Sequence, residues 1–223
     1  MNLLQLFIFK CHRNNVILKI IIWIDLPTPQ MIKATHADKD YVVDILHSAF
    51  EPIKDPNSIN FIVKQDGKRS QRIRILMEYL FEDSMASGEV LLSNNRNACI
   101  LVKYPHTEKK NWKWLKWQFK LATQVIGINN VLKILKRLAR LKKHHIKDPY
   151  IHPVIMGAKS EVNGLGIGVR LIRQLIDHYP NNELPIIIET TTDENLRIYN
   201  RFGFEVFKKI ETKDFPLYFL RMN

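Results

Sequence analysis

The last third of the chain alternates predicted strands and helices, and this order constrains the fold more than any other feature. The predicted strands lie at 150–159, 185–190, 205–209 and 217–221, and the predicted helices at 166–179 and 193–201. A strand, a helix and a second strand in succession indicate at least one parallel β-α-β unit. Ligands of such folds collect where the sheet opens at the carboxyl ends of its strands. We therefore expect a binding cleft in this third of the chain.

The preceding part of the chain supplies further elements of a mixed α/β fold. Apolar periodicity predicts a strand at 32–35, a helix around 42–49, a helix at 70–85, and strands at 89–92 and 98–104. Pro52 and Pro56 end the first of these helices, and a cluster of asparagines marks the turn between the last two strands. A chain of 223 residues fits one such core with an insertion.

Neither cysteine lies in a motif. Cys11 and Cys99 are far apart and have no CxxC or Cys/His spacing, so the sequence indicates no zinc site, no other metal and no disulfide framework. A reducing, cytoplasmic location fits this pattern. No apolar run reaches the roughly 18 to 20 residues of a membrane-spanning helix. The longest candidate, 16–26, contains Lys19 and Asp25.

The positive charge is concentrated in one segment. Residues 103–147 hold thirteen lysines and arginines against the single acid Glu108, and this segment accounts for the whole net charge of +12. Residues 106–148 are predicted to form an insertion of two basic helices, with a break at 127–130. Three interpretations remain open: a solvated helical face, a patch for nucleic acid or membrane, and a lid near the substrate cleft. No nucleic-acid-binding motif supports the second. We expect the insertion's tryptophans, Trp112, Trp114 and Trp117, to pack against the sheet.

The first 30 residues fit no element that the rest of the pattern requires. Apolar patches at 3–9 and 16–24 are broken by charged and amide residues, and their order does not match a signal peptide. We interpret 1–30 as an extension outside the fold and 31–223 as the domain; an extra edge strand or helix is the alternative.

A glycine loop lies directly after one predicted strand and directly before a helix. Its glycines, Gly164, Gly166 and Gly168, allow a ligand close to the backbone, and the first N–H groups of the helix could bind a diphosphate. A plain strand-helix turn is the alternative. A dinucleotide fingerprint would need a further glycine where Leu171 stands, and no Walker GK[ST] sequence occurs.

Two motifs resemble those of the GNAT acetyltransferase superfamily. Met156-Gly157-Ala158 leading to the loop 163–168 is similar to the family's A motif, and Glu189-Thr190 followed by Asn195, Tyr199 and 201–204 is similar to its B motif. The resemblance covers 31–221 and implies a mixed, mostly antiparallel sheet with a splayed parallel strand pair, flanked by helices. Asn163, where the family usually has Gln or Arg, and the sequence Lys159-Ser160-Glu161 depart from the family pattern.

The resemblance also implies a cofactor site and catalytic residues. The co-substrate would be acetyl-CoA, with its pyrophosphate in the glycine loop and its pantetheine arm along the backbone of Met156 and Ala158. The implied cofactor-binding residues are Met156, Gly157, Ala158, Asn163, Gly164, Leu165, Gly166, Ile167, Gly168, Val169, Asn195, Tyr199 and Arg201. Tyr199 would be the general acid at the sulfur, with simple helix packing as its alternative. The general base would be His152 or Glu189; an ordinary half-buried strand histidine is the alternative for His152.

The activity that follows is direct acetyl transfer from acetyl-CoA to a primary amine in a ternary complex, since no cysteine lies in either motif. The acceptor amine is not specified by the sequence, and a homodimer is left open. The alternative function is a GNAT-like domain that binds acyl-CoA without catalysis, or an anion-binding module that uses the basic helices.

Overall fold

The computed structural model describes residues 30–108, 111–162, 166–180, 184–212 and 215–223, so the predicted N-terminal extension lies almost wholly outside it. The described strands are β1 (Ile32–Lys33), β2 (Gly88–Leu92), β3 (Ala98–Lys103), β4 (His152–Ala158), β5 (Ile186–Thr190), β6 (Glu205–Ile210) and β7 (Leu217–Met222). The described helices are α1 (Lys39–Phe50), α2 (Ser58–Ile62), α3 (Arg69–Ser87), α4 (Trp112–Lys120), α5 (Ile128–Lys142), α6 (Ile167–His178) and α7 (Asp193–Arg201).

The strands form two sheets in which every named pair is antiparallel. The first has the order β1-β2-β3-β4, and the second has the order β5-β7-β6. Within the described residues, one parallel bridge, between Ile151 and Ile186, joins the two sheets at the start of β4 and β5. The predicted mixed α/β fold with a mostly antiparallel sheet and a splayed parallel pair is confirmed.

The central strands are apolar at consecutive positions because the sheet is covered on both faces. Leu101 of β3 belongs to the core formed with α1 and α3, whereas its neighbours Ile100 and Val102 belong to the core formed with α6 and α7. Phe81 in the first core and Phe204 in the second are fully buried, as is Phe219 of β7. This three-layer packing fixes α6 and α7 beside the opening between β4 and β5.

The insertion forms the two helices that the sequence predicts. A π-helical segment, Leu121–Ile126, extends α4, and the break lies at Gly127, whose φ of 78° is in the left-handed region that favours glycine. The packing of the tryptophans was predicted wrongly. Trp117 lies against Tyr79 of α3 at the border of the core that α1 and α3 form with the first sheet, and Trp112 is 69% exposed. Among the described residues, no helix is long and apolar enough to cross a bilayer.

The sequence did not predict α2. The Asn57 side chain accepts a hydrogen bond from the Asn60 N–H at 2.9 Å and so begins the helix directly after Pro56. The Arg69 guanidinium fixes this region by donating to the carbonyls of Glu51 and Ile53, at 2.7 and 2.6 Å. The connection between α1 and α3 is therefore fixed by hydrogen bonds, and it forms one wall of the cavity described below.

Candidate active site

The two sheets part at Pro153, and the reason is local. Ile151 donates its N–H to the Pro185 carbonyl at 3.0 Å and accepts from the Ile187 N–H at 2.9 Å. The next bond of a parallel ladder would run from the N–H of residue 153 to the Ile187 carbonyl. Proline has no N–H, so the ladder ends there. The Ile187 carbonyl is instead 3.1 Å from His152 Nδ1, which can donate to it.

A bulge adds to this separation. Ile155 pairs with Leu101 of β3, but Pro153 pairs with the next residue, Val102, which leaves Val154 as an extra residue on β4. A bulge of this kind bends its strand and increases the local twist. Beyond Pro153, the edge of β4 that faces β5 pairs with no described strand, and its N–H and C=O groups are open to a ligand.

A cavity of about 650 Å³ fills the space between the parted strands. At one end it reaches the first turns of α6 and α7, and at the other it reaches α5 and the connection between α1 and α3. Six of the residues predicted as site residues line it: His152, Met156, Gly168, Glu189, Asn195 and Tyr199. The fold therefore gathers residues from β4, β5, α6 and α7, which lie far apart in the sequence, around one space.

The first turn of α6 forms one end of the cavity. Gly166 caps the helix with a φ of 70°, and an added Cβ at either Gly166 or Gly168 would meet no atom of the described residues within 4 Å. Neither glycine has a side chain to cover the backbone here, at a helix start whose first N–H groups have no partner within the helix. Ile167 and Val169 lie in this turn but do not line the cavity. Asn163, Gly164 and Leu165 lie outside the described residues.

The carboxyl end of β4 has two sides with different roles. On one side, Met156 and Ala158 pair with Ile100 and Ala98 of β3, and Met156 also lines the cavity. Gly157 faces α1, where an added Cβ would lie 3.1 Å from the Ala49 Cβ, so this glycine permits close packing of the helix on the strand. Packing alone accounts for glycine at this position.

The first turn of α7 lies across the cavity. The Thr192 side chain accepts from the Asn195 N–H at 3.3 Å and begins the helix, and both residues line the cavity. Tyr199 follows one turn later, is 8% exposed, and packs edge-on against Phe204. Burial raises the pKa of the Tyr199 hydroxyl to about 12. Arg201, also predicted to bind cofactor, is exposed at the end of α7 and does not line the cavity.

A carboxylate and a histidine of the cavity wall, Glu189 and His152, meet a second histidine, His145, beside it. His145 Nε2 lies 3.2 Å from Glu189 Oε1, and His152 Nε2 lies 3.8 Å from the same oxygen. His145 Nδ1 is 2.8 Å from the Tyr150 hydroxyl, which fixes the orientation of the ring. About a quarter of each of the His145 and Glu189 side chains stays exposed, at 25% and 24%. This cluster joins both predicted candidates for the base to a third titratable group.

Burial controls the proton affinity of all three groups. Burial raises the pKa of Glu189, whereas the positive charges of His145 and Arg137 lower it by a smaller amount. Burial lowers the pKa of His145, whereas the negative charge of Glu189 raises it by a smaller amount. Burial also lowers the pKa of His152 to about 4, although its bond to the Ile187 carbonyl acts in the other direction. At neutral pH His152 is therefore uncharged, and the changes in Glu189 and His145 bring their proton affinities closer together.

The sequence did not identify His145 as a site residue. It lies in the charged segment after α5, in a run of lysines and histidines without a motif. Only the return of the chain into β4 brings it beside Glu189. The wall supplied by α2 was also missed, because apolar residues at helical spacing predict core packing equally well. The wall supplied by α5 agrees with one of the three interpretations of the insertion, a position near the substrate cleft.

No protein-family model matches the sequence, and no curated protein matches it significantly. Several solved structures have a similar fold. A Corynebacterium glutamicum protein described as histone acetyltransferase HPA2 and related acetyltransferase has a TM-score of 0.62 and 20% identity, over 87% of this chain and 95% of that one.

Two further structures resemble the chain over nearly its whole described length. Arylalkylamine N-acetyltransferase 2 from Aedes aegypti has a TM-score of 0.56 and 16% identity, over 86% of this chain and 97% of that one. The C-terminal condensation domain of Ebony, in complex with beta-alanyl-dopamine, has a TM-score of 0.61 and 8% identity, also over 86% and 97%. At such identities the likeness concerns the fold. The parted β4 and β5, the two motifs and these neighbours lead to one conclusion: the chain has the fold of the GNAT acetyltransferases.

Proposed function

We propose that this protein transfers an acetyl group from acetyl-CoA to a primary amine. One observation carries the proposal: a single cavity is lined by an open strand edge, a bare helix start, and a half-buried carboxylate, Glu189, which pairs with His145 beside the cavity. The first two features suit a ligand made of amides and phosphates. The third suits a proton that must leave an amine. The GNAT fold supports acetyl transfer in general.

The residues present fit acetyl-CoA. The first turn of α6, where Gly168 lines the cavity and Gly166 caps the helix, would hold the pyrophosphate, and the free edge of β4 at Met156 would hold the pantetheine amides. Asn195 at the start of α7 would contact the same arm. Asn163, Gly164 and Leu165 complete the loop in the sequence motif. When bound, acetyl-CoA supplies an acetyl group activated as a thioester.

Glu189 is the stronger candidate for the general base. The acceptor is an ammonium near neutral pH and must lose a proton before its nitrogen can bond to the acetyl carbon. A carboxylate whose pKa is raised by burial binds that proton better than an exposed one does. His152 is weaker in this role, because burial holds its pKa at about 4. His145 lies at hydrogen-bond distance from Glu189 and would pass the proton on to solvent.

Tyr199 would assist the leaving group. As the new C–N bond forms, the C–S bond breaks and the sulfur gains charge that a hydroxyl can stabilise. With a pKa of about 12, Tyr199 acts as a hydrogen-bond donor more readily than as a full acid. The proton lost by nitrogen and the proton gained by sulfur balance, so no other reactant is needed.

Direct attack fits the surroundings of the described cysteine. Cys99 is fully buried in the core that includes α1 and α3, and burial raises the pKa of its thiol. A thiol in that position cannot reach the cavity as a thiolate to carry the acetyl group. The acceptor and acetyl-CoA would therefore bind together, one at each end of the cavity.

The experiment that tests the proposal is a panel of primary amines incubated with acetyl-CoA, with each N-acetyl product identified by mass spectrometry. We expect at least one amine to be acetylated. Glu189→Gln should lower kcat by about 10²- to 10⁴-fold while acetyl-CoA still binds. An exposed control, Glu194→Gln, should leave kcat unchanged. Binding of acetyl-CoA without any product would instead support the non-catalytic alternative.

A further inference from the structure

We infer that the acceptor is a primary amine carried on an uncharged apolar group, such as an alkyl chain or an arylalkyl group. This inference rests on the proposed acetyl transfer and names its substrate class. It follows from the walls at the end of the cavity away from α6. These walls come from the α1–α3 connection, α3 and α5, whose lining residues include Ile59, Ile62, Leu80, Ile134, Leu138 and Leu141.

These walls belong to the folded core and do not depend on exposed side chains alone. Ile59, Ile62 and Leu80 pack against the core of α1 and α3. Ile134 is 3% exposed, although α5 lies on the outside of the domain. Such a surface binds apolar groups by removing them from water, at a gain that grows with each buried methylene. It offers little to a ligand with many polar groups.

Few formal charges reach this cavity within the described residues. They are Asp55, Arg137 and Glu189, since the buried His152 is neutral. Glu189 is committed to the reacting nitrogen in the proposed function. Asp55 is exposed to water, where its attraction for a cation is weak and screened by salt.

Arg137 makes a second positive charge on the acceptor unfavourable. Its guanidinium lies 4.4 Å from the ring centres of both Phe61 and Phe215, which hold it in place at the wall. Its charge also acts on Glu189, so it is felt where the acceptor nitrogen would lie. A polyamine would bring a further cation among apolar side chains and towards this guanidinium. Both the loss of hydration and the repulsion oppose its binding.

The test compares acceptors that differ by one group, with acetyl-CoA fixed at a saturating concentration. From propylamine to hexylamine, we expect kcat/KM to rise by about fourfold per methylene until the cavity is filled. Hexylamine should exceed 1,6-diaminohexane at least tenfold. We expect phenethylamine to be preferred over L-phenylalanine, because the carboxylate of the amino acid would lose hydration and lie near the like charge of Glu189.

A pair of variants on α5 locates the effect. Leu138 lines the cavity, whereas Leu132 lies on the same helix away from it; both are substantially exposed, at 49% and 63%, so an aspartate at either place leaves the core intact. Leu138→Asp should lower kcat/KM for hexylamine at least tenfold without changing the KM for acetyl-CoA. Leu132→Asp should change neither value.

The outcomes separate this inference from the proposed function. Faster acetylation of diamines, spermidine, amino acids or a peptide amine than of hexylamine would overturn the substrate class and leave the transferase intact. Equal effects of Leu138→Asp and Leu132→Asp would also overturn it. Failure to acetylate any amine would contradict the proposed function itself.

Discussion

His145 Nε2 lies 3.2 Å from Glu189 Oε1, although 44 positions separate the two residues in the chain. His145 follows the basic helix α5, and Glu189 lies in β5 at the heart of the fold. The insertion is thus connected to the chemistry of the cavity by a specific side-chain pair. Protonation of either member changes the charge felt by the other, and this coupling has a measurable consequence.

Replacement of His145 should change the pH dependence of the reaction. When protonated, His145 favours the ionised form of Glu189 and so opposes the rise in its pKa. Without this charge, Glu189 takes up a proton at higher pH. We expect His145→Ala to move the acid limb of the kcat/KM profile to higher pH. The control is His106→Ala, which alters an exposed histidine away from the cavity. An acid limb that His145→Ala leaves in place would show that this pair does not set it.

His152 should make the protein sensitive to acid. Burial lowers its pKa from 6.5 to about 4, so the unfolded chain binds a proton more tightly than the native one. Stability is therefore lost as the pH falls from about 6.5 towards 4, by about 3 kcal/mol from this group. His152→Gln keeps a donor for the Ile187 carbonyl and has no titration, so its stability should fall less over this window. Urea unfolding at pH 7 and pH 4.5 measures the difference. An identical loss in both proteins would contradict the assignment.

Pro153 should keep the cleft open. In Pro153→Ala, the new N–H can bond to the Ile187 carbonyl and extend the parallel ladder by one step. We expect the amide of residue 153 to be protected from hydrogen exchange, and the affinity for acetyl-CoA to fall as the strands draw together. Pro180→Ala, in the exposed turn after α6, serves as the control. A freely exchanging amide with unchanged affinity would assign the separation to the bulge at Val154 alone.

Tyr199→Phe should reduce turnover moderately. Full proton transfer from a group with a pKa of about 12 to a thiolate is uphill by several kcal/mol. A hydrogen bond to the developing charge is worth less, so kcat should fall by about 10- to 100-fold with acetyl-CoA affinity unchanged. Tyr218→Phe is a matched control, since Tyr218 is equally buried, at 8%, and does not line the cavity. An unchanged kcat would exclude Tyr199 from the reaction, and a loss above about 10³-fold would indicate a full general acid.

The sequence predicts the order of elements well because periodicity records which face of each element is buried. The helix at 193–201 has the predicted bounds, and Gly127 breaks the insertion where predicted. The predicted packing of the tryptophans was wrong because a stripe of apolar residues does not indicate which neighbouring element covers it. In α5 the structure buries Ile134 and leaves Leu132, Leu135 and Leu138 exposed, although all four are apolar.

Site residues that belong to a local sequence motif could be predicted. Site residues that only the contacts between distant segments bring together could not. Gly168, Asn195 and Tyr199 fall in motifs and do line the cavity. His145 has no motif, and its role depends on contacts between distant segments. The resemblance implied the splayed strand pair, but not that the strands part at Pro153, because a proline in an apolar strand marks a lost hydrogen bond only when its partner strand is known.

The most direct test of the central claim is calorimetric titration of acetyl-CoA into the wild-type protein and Gly168→Asp. Gly168 lines the cavity in the first turn of α6, where an aspartate suits the helix start, so the variant should fold. Its carboxylate would repel a pyrophosphate held there. We expect saturable binding by the wild type, a loss of affinity of at least 100-fold in Gly168→Asp, and no change in the control Gly67→Asp, at an exposed glycine with equal free space. No binding by folded wild-type protein at millimolar acetyl-CoA, or equal binding by Gly168→Asp, would contradict the account.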